Sequence, residues 1–289
     1  MKSFRNQVAA ITGAASGIGR ALAENLAEAG CHLALADTDM AGLEQVCADL
    51  AGSGVKISLH QLDVSDEQAV HQYARDAIEA HGSVQMIFNN AGVALNQPAS
   101  EMNTDDMRWL MGINYWGVVY GTQAFLPHLQ AQGFGHIINV SSLFGMIGVP
   151  TQAAYNSAKF AVRGFTECLR IELAGSGVGV SCVHPGGIDT NIVRNARMHP
   201  DEDREQSVRR FKKLARTTPD RAARIILDGV RRNRVQILVG ADAHLISRIG
   251  RLFPASYEGV LRLLGMGKAF EDNRKSGETQ RLAQMETES

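Results

Sequence analysis

Tyr155 and Lys159 combine residue types and a spacing that can move a proton at a reacting oxygen. They are four positions apart in a segment with helical periodicity, so their side chains lie on one face of a helix. A free tyrosine has a pKa of about 10, and a nearby ammonium favours the phenolate and lowers that pKa. Ser141 and Ser142 end the preceding apolar run, and a serine hydroxyl can hold a substrate oxygen in line. Removal of a hydride from a carbinol carbon requires such a set, because the hydroxyl proton must pass to a base.

A glycine-rich turn follows the first apolar run of the chain. Residues 12–19 read TGAASGIG between a strand pattern and a helix pattern. Glycines let the backbone turn tightly and approach a pyrophosphate, and the helix N-terminus offers free N–H groups and a partial positive charge. A tight turn without a ligand is the alternative interpretation. The position of the turn at the first βα junction favours a dinucleotide-binding site.

Asp37 ends the second apolar run, eighteen residues after Gly19. At about this spacing a carboxylate meets the adenosine ribose of a bound dinucleotide. The carboxylate accepts hydrogen bonds from ribose hydroxyls and repels the 2′-phosphate of NADP. Neither Ser16 nor Thr38 is a cation, so the sequence favours NAD over NADP. Arg20 is a nearby cation that would weaken this preference, and a solvated turn residue is the other interpretation of Asp37.

Short β-branched or apolar runs alternate with longer helical patterns. Strands are predicted at residues 8–12, 32–36, 56–61, 86–88, 136–140, 179–183 and 236–239. Helices are predicted at residues 17–29, 40–50, 67–80, 105–129, 152–173 and 219–232. Ser65 and Gln68 have the spacing of a capping box, and Thr218 with Pro219 puts proline at the first helical position. The alternation predicts a doubly wound, mostly parallel α/β sheet, a Rossmann fold, in one domain over residues 1–240.

Together and in order, these motifs resemble the short-chain dehydrogenase/reductase family. The resemblance covers about residues 5–240, and its members are TGAASGIG at 12–19, NNAG at 89–92, Asn114, Ser142, YNSAK at 155–159 and Pro185-Gly186. A serine thirteen residues before the tyrosine matches the family, which selects Ser142 over Ser141. The resemblance implies hydride transfer between NAD and a secondary alcohol or its ketone.

The resemblance also implies a role for each matched position. Tyr155 would be the acid/base, and Lys159 would lower its pKa and bind the nicotinamide ribose. Ser142 would orient the substrate oxygen, and Asn114 would hold a water that links Lys159 to a proton relay. The implied cofactor-binding positions are Gly13, Ser16, Gly17, Ile18, Gly19 and Asp37, Asp63 and Val64 at the adenine, Asn90, Ala91 and Gly92 beside the cofactor, and Pro185, Gly186, Ile188 and Thr190 at the nicotinamide.

Composition limits the other functions. The chain of 289 residues has 45% hydrophobic and 20% charged residues and a formal net charge of −1, which is ordinary for a soluble globular protein. We therefore predict no nucleic-acid partner. The four cysteines lie far apart and the histidines lack metal-ligand spacing, so we predict no metal site and interpret His184 as structural. The absence of a signal region and of a long apolar run predicts a cytoplasmic location without a membrane span.

Two segments are expected to enclose the substrate. Residues 143–150 (LFGMIGVP) and 93–95 (VAL) carry no charge and can bury hydrocarbon, although part of the first run is alternatively ordinary core. Residues 191–217, rich in Arg and Lys, are expected to form a lid segment. Its cations either meet an acidic group on the substrate or form a solvated face. We predict a hydrophobic secondary alcohol or ketone of the steroid, retinoid-like or medium-to-long-chain kind.

Residues 241–270 form a predicted amphipathic extension, followed by a polar tail at 271–289. Pro254 is expected to split the extension into two helices, with Arg248 and Arg251 among the apolar residues. The leading interpretation is packing on the protein itself or on a partner subunit. The alternative is peripheral contact of residues 241–266 with a membrane. The extension departs from the tail that usually forms family tetramers, so we predict a homodimer rather than a tetramer.

Two other functions compete with catalysis. One is a nicotinamide-binding regulator that has lost its activity, and the other is a membrane-recruited interaction protein. The intact set Asn114, Ser142, Tyr155 and Lys159 argues against a regulator, because a sensor needs the cofactor pocket and not the proton-transfer groups. Only the extension argues for an interaction protein.

Overall fold

Residues 3–199 and 202–266 are described by a computed structural model, and within them the chain forms nine strands and ten α-helices. The strands are β1 (Val8–Thr12), β2 (His32–Asp37), β3 (Ile57–Gln61), β4 (Met86–Asn89), β5 (Leu95–Asn96), β6 (Gly135–Val140), β7 (Val178–Pro185), β8 (Arg197–Met198) and β9 (Gln236–Val239). The helices are α1 (Gly17–Glu28), α2 (Met40–Asp49), α3 (Glu67–His81), α4 (Thr104–Met111), α5 (Gly117–Gln132), α6 (Ala153–Glu172), α7 (Arg204–Leu214), α8 (Pro219–Arg231), α9 (Ala241–Leu252) and α10 (Tyr257–Leu261).

Seven strands form one parallel sheet in the order β3-β2-β1-β4-β6-β7-β9. Parallel neighbours need crossover connections, and helices on both faces of the sheet provide them. Each of the seven predicted strands is present, and its ends lie within two residues of the prediction. The prediction of a doubly wound α/β sheet is confirmed.

Alternate side chains of β1 enter opposite halves of the core. Ala9 and Ile11 belong to a buried cluster with residues of α1, α2 and α8. Val8 and Ala10 belong to a second buried cluster with residues of α3, α5 and α6. A strand that is buried on both faces reads as a continuous apolar run, which is why β1 shows no polar alternation in the sequence.

The helix predicted at residues 105–129 is interrupted. A π-helical segment, Gly112–Trp116, separates α4 from α5. A Cβ atom on Gly117 would lie only 2.8 Å from the Val64 side chain, so the backbone at this point approaches the loop after β3 very closely. π-helical turns inside α-helices frequently occur at functional sites, and this one contains Asn114.

The caps of two helices test the sequence signals for helix starts. The predicted capping box at Ser65 is wrong, because Asp66 caps α3 by accepting a hydrogen bond from the Ala69 N–H. The Ser65 hydroxyl instead donates to Asp63, 2.7 Å away. Thr218 caps α8 and Pro219 occupies its first turn, as predicted.

The extension packs on the body of the protein. Pro254 lies between α9 and α10, as predicted, and α10 continues into a π-helical segment, Arg262–Met266. Ile246, Ile249 and Leu261 are buried in one cluster with Leu143 and Ile147. The predicted tail at 271–289 lies outside the described residues. Across residues 3–199 and 202–266, every helix is too short or too polar to cross a bilayer.

Candidate active site

The predicted site residues meet at the carboxyl edge of the sheet. Thr12 ends β1, Asn89 ends β4, Val140 ends β6 and Pro185 ends β7, and parallel strands place these ends at one edge. The strand order reverses between β1 and β4, and open α/β sheets bind ligands at such a reversal. The fold therefore brings together four segments that are far apart in the chain.

The glycine turn is built around close backbone contacts. Gly13 has a φ of 68°, and a Cβ on it would lie 2.9 Å from the Cα of Ala91. A Cβ on Gly19 would overlap the Gly13 carbonyl. The Thr12 hydroxyl accepts hydrogen bonds from the N–H groups of Asn90 (3.0 Å) and Ala91 (3.1 Å). The turn after β1 and the turn after β4 thus form one rigid unit.

The helix α1 presents its N-terminus at this turn. Ser16 occupies the N-cap position, and its hydroxyl makes no capping hydrogen bond. The first N–H groups of a helix have no partner within the helix, and together with the helix dipole they favour an anion. A Cβ on Gly17 would lie 3.2 Å from the Cγ2 of Thr190. The turn therefore lies against the segment that follows β7.

Asp37 lies beside the glycine turn at the end of β2. One carboxylate oxygen accepts from the Ala15 N–H at 3.0 Å, and the other accepts from the Asp39 N–H at 3.1 Å. Arg20 bonds Glu24 and Asp49, each at 2.8 Å. This cation near the glycine turn is therefore already bound to two carboxylates.

The positions predicted at the adenine follow β3. Val64 is buried, whereas Asp63 is exposed and accepts from the backbone N–H and the hydroxyl of Ser65. The Asp63 carboxylate therefore stabilises the turn that leads into α3. The structure places this turn next to Gly117, at the start of α5.

Ser142, Tyr155 and Lys159 form the centre of the site. The Ser142 side chain lies near the Tyr155 phenol and favours its ionised form. The Lys159 Nζ atom lies 5.8 Å from the centroid of the Tyr155 ring and donates to the Val140 carbonyl at 3.0 Å. Ser142 and Lys159 are buried and Tyr155 is partly buried. A phenol, a hydroxyl and an amine thus converge beside the end of β6.

Burial dominates the ionisation of both titratable groups. It raises the pKa of the Tyr155 phenol, and the Ser142 side chain acts in the opposite direction. Burial lowers the pKa of the Lys159 ammonium to about 8. For these residues by themselves, desolvation of the phenolate is the larger effect. The lowering of the Tyr155 pKa by Lys159 together with a positive nicotinamide stays a prediction.

Asn114 lies beside Gly92. Its side chain is fully buried, accepts from the Val93 N–H and donates to the Val93 carbonyl, both at 2.8 Å. A Cβ on Gly92 would lie 3.2 Å from Asn114 Oδ1 and 3.5 Å from Lys159 Nζ. Gly92 therefore lies close to both the Asn114 amide and the Lys159 ammonium.

Three further residues hold this centre in place. The Ser141 hydroxyl donates to the Lys159 carbonyl at 2.7 Å. His184 is buried with its Nδ1 atom 3.0 Å from the Ser142 carbonyl, and burial lowers its pKa to about 4, so the neutral ring donates through Nδ1. The Asn156 amide donates to the carbonyls of Phe144 (2.7 Å) and Ile147 (2.5 Å). The structural interpretation of His184 is consistent with this contact, and the roles of Ser141 and Asn156 were not predicted.

Apolar side chains surround the Tyr155 ring. The Phe144 ring meets it edge to face, with centroids 6.2 Å apart. On other sides Tyr155 belongs to a cluster with Val93, Leu95, Met102, Met107, Trp109, Met111 and Tyr115. The predicted apolar walls at residues 93–95 and 143–150 thus both contribute to its surroundings.

The lid segment is docked rather than loose. Its strand β8 pairs with β5, and α7 follows. The Arg197 guanidinium lies 2.7 Å from an Asp106 oxygen and 3.7 Å from the centroid of the Trp109 ring. Arg204 donates to two carbonyls of its own segment, and Arg209 pairs with Glu205. These three cations are therefore engaged within the protein, contrary to the idea that they meet an acidic group on a substrate.

A cavity of about 390 Å³ lies between the lid segment and α1. Its lining includes Gly17, Arg20, Thr190, Phe211 and Lys212. It therefore borders the outer side of the glycine turn rather than the Tyr155 ring.

The extension forms the outer support of the wall at residues 143–150. The Tyr257 hydroxyl accepts from the Gly148 N–H at 3.0 Å and donates to the Gly148 carbonyl at 3.3 Å. A Cβ on Gly250 would lie 3.1 Å from the Ile147 side chain. The wall is thus fixed on its inner side by Asn156 and on its outer side by α9 and α10.

We expect Tyr257→Phe to loosen this wall without unfolding the protein. The variant loses both hydrogen bonds to Gly148, which should lower the free energy of unfolding by about 1–2 kcal/mol. Amide hydrogen exchange should become faster at residues 146–150. Tyr120→Phe is the matched control, because the Tyr120 hydroxyl makes no hydrogen bond to the described residues. Unchanged exchange at 146–150 in Tyr257→Phe would contradict the tether.

Comparisons with known proteins identify the family. The profile described as short chain dehydrogenase matches residues 7–201. The oxidoreductase named SadH of Mycobacterium tuberculosis is 45% identical over 273 residues, which cover 93% of this chain and 98% of that protein. The uncharacterized oxidoreductase YxnA of Bacillus subtilis is 34% identical over 257 residues, which cover 88% of this chain and 71% of that protein.

Solved structures show the same fold. A short chain dehydrogenase/reductase from Burkholderia phymatum, in complex with NAD, has a TM-score of 0.81 and 31% identity over 87% of this chain and 95% of that chain. An alcohol dehydrogenase from Thermococcus sibiricus, complexed with 5-hydroxy-NADP, has a TM-score of 0.69 and 27% identity over 81% and 95%. With the sequence relatives and the sheet order described above, these matches place the chain in the short-chain dehydrogenase/reductase family of oxidoreductases.

Proposed function

We propose that this protein transfers a hydride between NAD(H) and an apolar secondary alcohol or ketone, with Tyr155 as the acid/base. The observation that carries the proposal is the cluster of Ser142, Tyr155 and Lys159 at the carboxyl edge of the sheet. The cluster lies next to a turn shaped for a dinucleotide. The NAD complex of the Burkholderia phymatum relative supports this choice of cofactor.

The residues present fit a dinucleotide. The turn around Gly13 and Gly19 has no room for side chains, which leaves its backbone open to a pyrophosphate at the N-terminus of α1. Ser16, Gly17 and Ile18 begin that helix and would hold the phosphates, and Asp37 would accept hydrogen bonds from the adenosine ribose. The remaining predicted cofactor contacts are at the adenine (Asp63, Val64), at the turn after β4 (Asn90, Ala91, Gly92) and at the nicotinamide (Pro185, Gly186, Ile188, Thr190).

The proton-transfer groups then act at the substrate oxygen. A bound oxidised nicotinamide would supply the hydride acceptor and a positive charge. In the oxidation direction the Tyr155 phenolate takes the hydroxyl proton as the carbinol C–H bond breaks, which leaves a ketone. Ser142 holds the substrate oxygen beside the phenol. Lys159 stabilises the phenolate electrostatically, in opposition to the desolvation that raises the pKa of Tyr155.

The Asp37 carboxylate should select NAD over NADP. We expect Asp37→Ala with Thr38→Arg to shift the ratio of kcat/KM for the two cofactors toward NADP by about 10-fold or more, because the variant removes a repelling charge and adds a cation. Asp37→Asn, which keeps the shape of the side chain, should give a smaller shift. Tighter binding of NADPH than NADH by the unaltered protein would contradict this role of Asp37.

A panel of substrates tests the proposal as a whole. Absorbance of NADH should change when the protein is mixed with NAD and secondary alcohols, or with NADH and ketones, ordered by chain length and ring content. The proposal expects turnover with apolar members of the panel, because apolar side chains surround Tyr155. No turnover with any member, alongside measurable NADH binding, would favour a regulator that has lost catalysis.

We also propose that the protein is a homodimer. Trp116 in the π-helical segment and Phe160 on α6 are 46% and 42% exposed, and Trp116 stacks on Tyr120. Large exposed aromatic side chains on adjacent helices are typical of a protein interface. Light scattering should give twice the monomer mass, and Trp116→Asp should reduce it to that of a monomer.

A further inference from the structure

The outer side of the extension carries an apolar surface that residues 3–199 and 202–266 leave uncovered. Leu245, Leu252, Phe253, Leu263 and Leu264 are between 44% and 89% exposed. On α9, Leu245, Arg248 and Leu252 follow the spacing i, i+3, i+7 and therefore share one face. The buried residues of the same helix, Ala243, Ile246, Ser247 and Ile249, face the protein. We call the exposed residues 245, 248, 251–253 and 263–264 the outer face of the extension.

The charged side chains of this outer face are all positive. Arg248 and Arg251 are exposed, and neither has a carboxylate partner among the described residues. The two acidic side chains of the extension are engaged elsewhere. Asp242 accepts from the Gly187 N–H at 2.7 Å, and Glu258 pairs with Arg262 at 2.6 Å. An apolar surface flanked by unpaired arginines matches anionic headgroups above hydrocarbon.

We propose that the outer face of the extension docks the protein on an anionic lipid surface. Two-fold association of this face with itself would gather four arginines without a carboxylate, which is unfavourable in an isologous contact. Residues 267–289 contain only three large apolar side chains, Phe270, Leu282 and Met285, too few to cover five exposed ones. An anionic lipid surface can cover the apolar side chains with hydrocarbon and pair the arginines with its headgroups.

The outer face of the extension lies behind the wall at residues 143–150, so a membrane bound there would lie close to the proposed substrate site. The inner side of the extension packs on Leu143 and Ile147 and bonds Gly148 through Tyr257. The membrane would therefore lie against the outside of the wall that encloses the proposed substrate site. Lipid binding is a separate property, so its test needs no catalytic activity.

Flotation of the full chain with lipid vesicles tests the proposal. We expect the protein to float with vesicles of phosphatidylcholine and phosphatidylglycerol, and much less with phosphatidylcholine alone. Added salt should release it, because salt screens the attraction of the arginines. Arg248→Ala with Arg251→Ala should weaken partitioning about 30-fold, since each arginine near an anionic surface contributes a factor of about five. Leu252→Asp with Phe253→Asp should weaken it at least as much.

Matched controls separate docking from loss of structure. Ile171→Asp changes a side chain on α6 that is 70% exposed, and Arg221→Ala changes an exposed arginine on α8; both should float like the unaltered protein. NADH binding and thermal unfolding check that every variant is folded.

Four results would overturn the proposal. One is that the unaltered protein does not float with anionic vesicles. Another is that the outer-face variants float as well as the controls. Alternatively, light scattering shows that Leu252→Asp with Phe253→Asp dissociates an oligomer, which would identify a second copy as the occupant. If the protein floats only after residues 267–289 are removed, the tail is the occupant of the outer face.

Discussion

Replacing Tyr155 with phenylalanine is expected to lower kcat for alcohol oxidation by a factor of about 100 or more. The variant removes the phenol oxygen near Ser142 and leaves the ring that packs on Phe144. NADH binding should change little, because the glycine turn and Asp37 are untouched. Stopped-flow or steady-state NADH absorbance measures kcat, and fluorescence titration measures the Kd for NADH.

Two further variants show whether this loss reflects proton transfer. Tyr120→Phe removes a hydroxyl from the surface-stacked ring beside Trp116 and should retain full activity. Lys159→Ala should lower kcat and also weaken NADH binding, since the resemblance implies a contact of Lys159 with the nicotinamide ribose. Near-normal activity of Tyr155→Phe would exclude Tyr155 as the acid/base and leave the family assignment intact.

The sequence predicted the central strands of the large sheet because β1, β2, β4, β6 and β7 are almost entirely buried. A run such as residues 8–12 must be apolar throughout when both of its faces lie in the core. The small pairing of β5 with β8 has no such signal. It depends on Arg197 bonding Asp106 and stacking on Trp109, contacts between segments about ninety residues apart that no local pattern encodes.

The interruption between α4 and α5 has a similar origin. Apolar periodicity continues through residues 105–129, so the sequence predicts one helix. The π-helical segment arises where Asn114 bonds both backbone groups of Val93 and where Gly117 meets Val64. These contacts come from loops after other strands, and tertiary packing overrides the local preference.

The sequence predicted those residues of the candidate site whose chemistry requires both a particular residue type and a particular spacing. Few positions combine a helical tyrosine and lysine with a serine at the end of the preceding strand. Asn156, His184 and Tyr257 were not given roles at the site, because each acts by bonding the backbone of the wall or of Ser142. Many residue types can bond a carbonyl, so such roles become visible only once the chain is folded.

The pKa of Tyr155 shows how structure changes a chemical argument. The sequence predicts that Lys159 and a positive nicotinamide together lower this pKa, whereas burial raises the pKa of Tyr155 and lowers that of Lys159 to about 8. Desolvation penalises the phenolate and the ammonium alike. A base at neutral pH therefore needs the charge of the bound cofactor as well as that of the lysine.

A series of aliphatic secondary alcohols is expected to show kcat/KM rising with chain length. Each methylene buried against Phe144 or Val93, which lie partly exposed near Tyr155, should contribute about 0.8 kcal/mol, a factor of about four, until the site is full. Four added methylenes would then raise kcat/KM by about 250-fold. The tether between Tyr257 and Gly148 fixes the wall that such chains contact, so Tyr257→Phe should flatten the series while Tyr120→Phe should not.

The series separates substrate class from reaction type. If the wall at residues 143–150 were ordinary core, out of reach of the substrate, kcat/KM would not depend on chain length. If the lid segment held a polar substrate, a polyol would be the best member of the series. Either result would overturn the proposed apolar substrate, yet NADH formation would still show hydride transfer. Three cations of the lid segment are engaged by the protein: Arg197, Arg204 and Arg209. We therefore expect a carboxylate added to the substrate to leave kcat/KM unimproved, and a longer hydrocarbon chain to raise it.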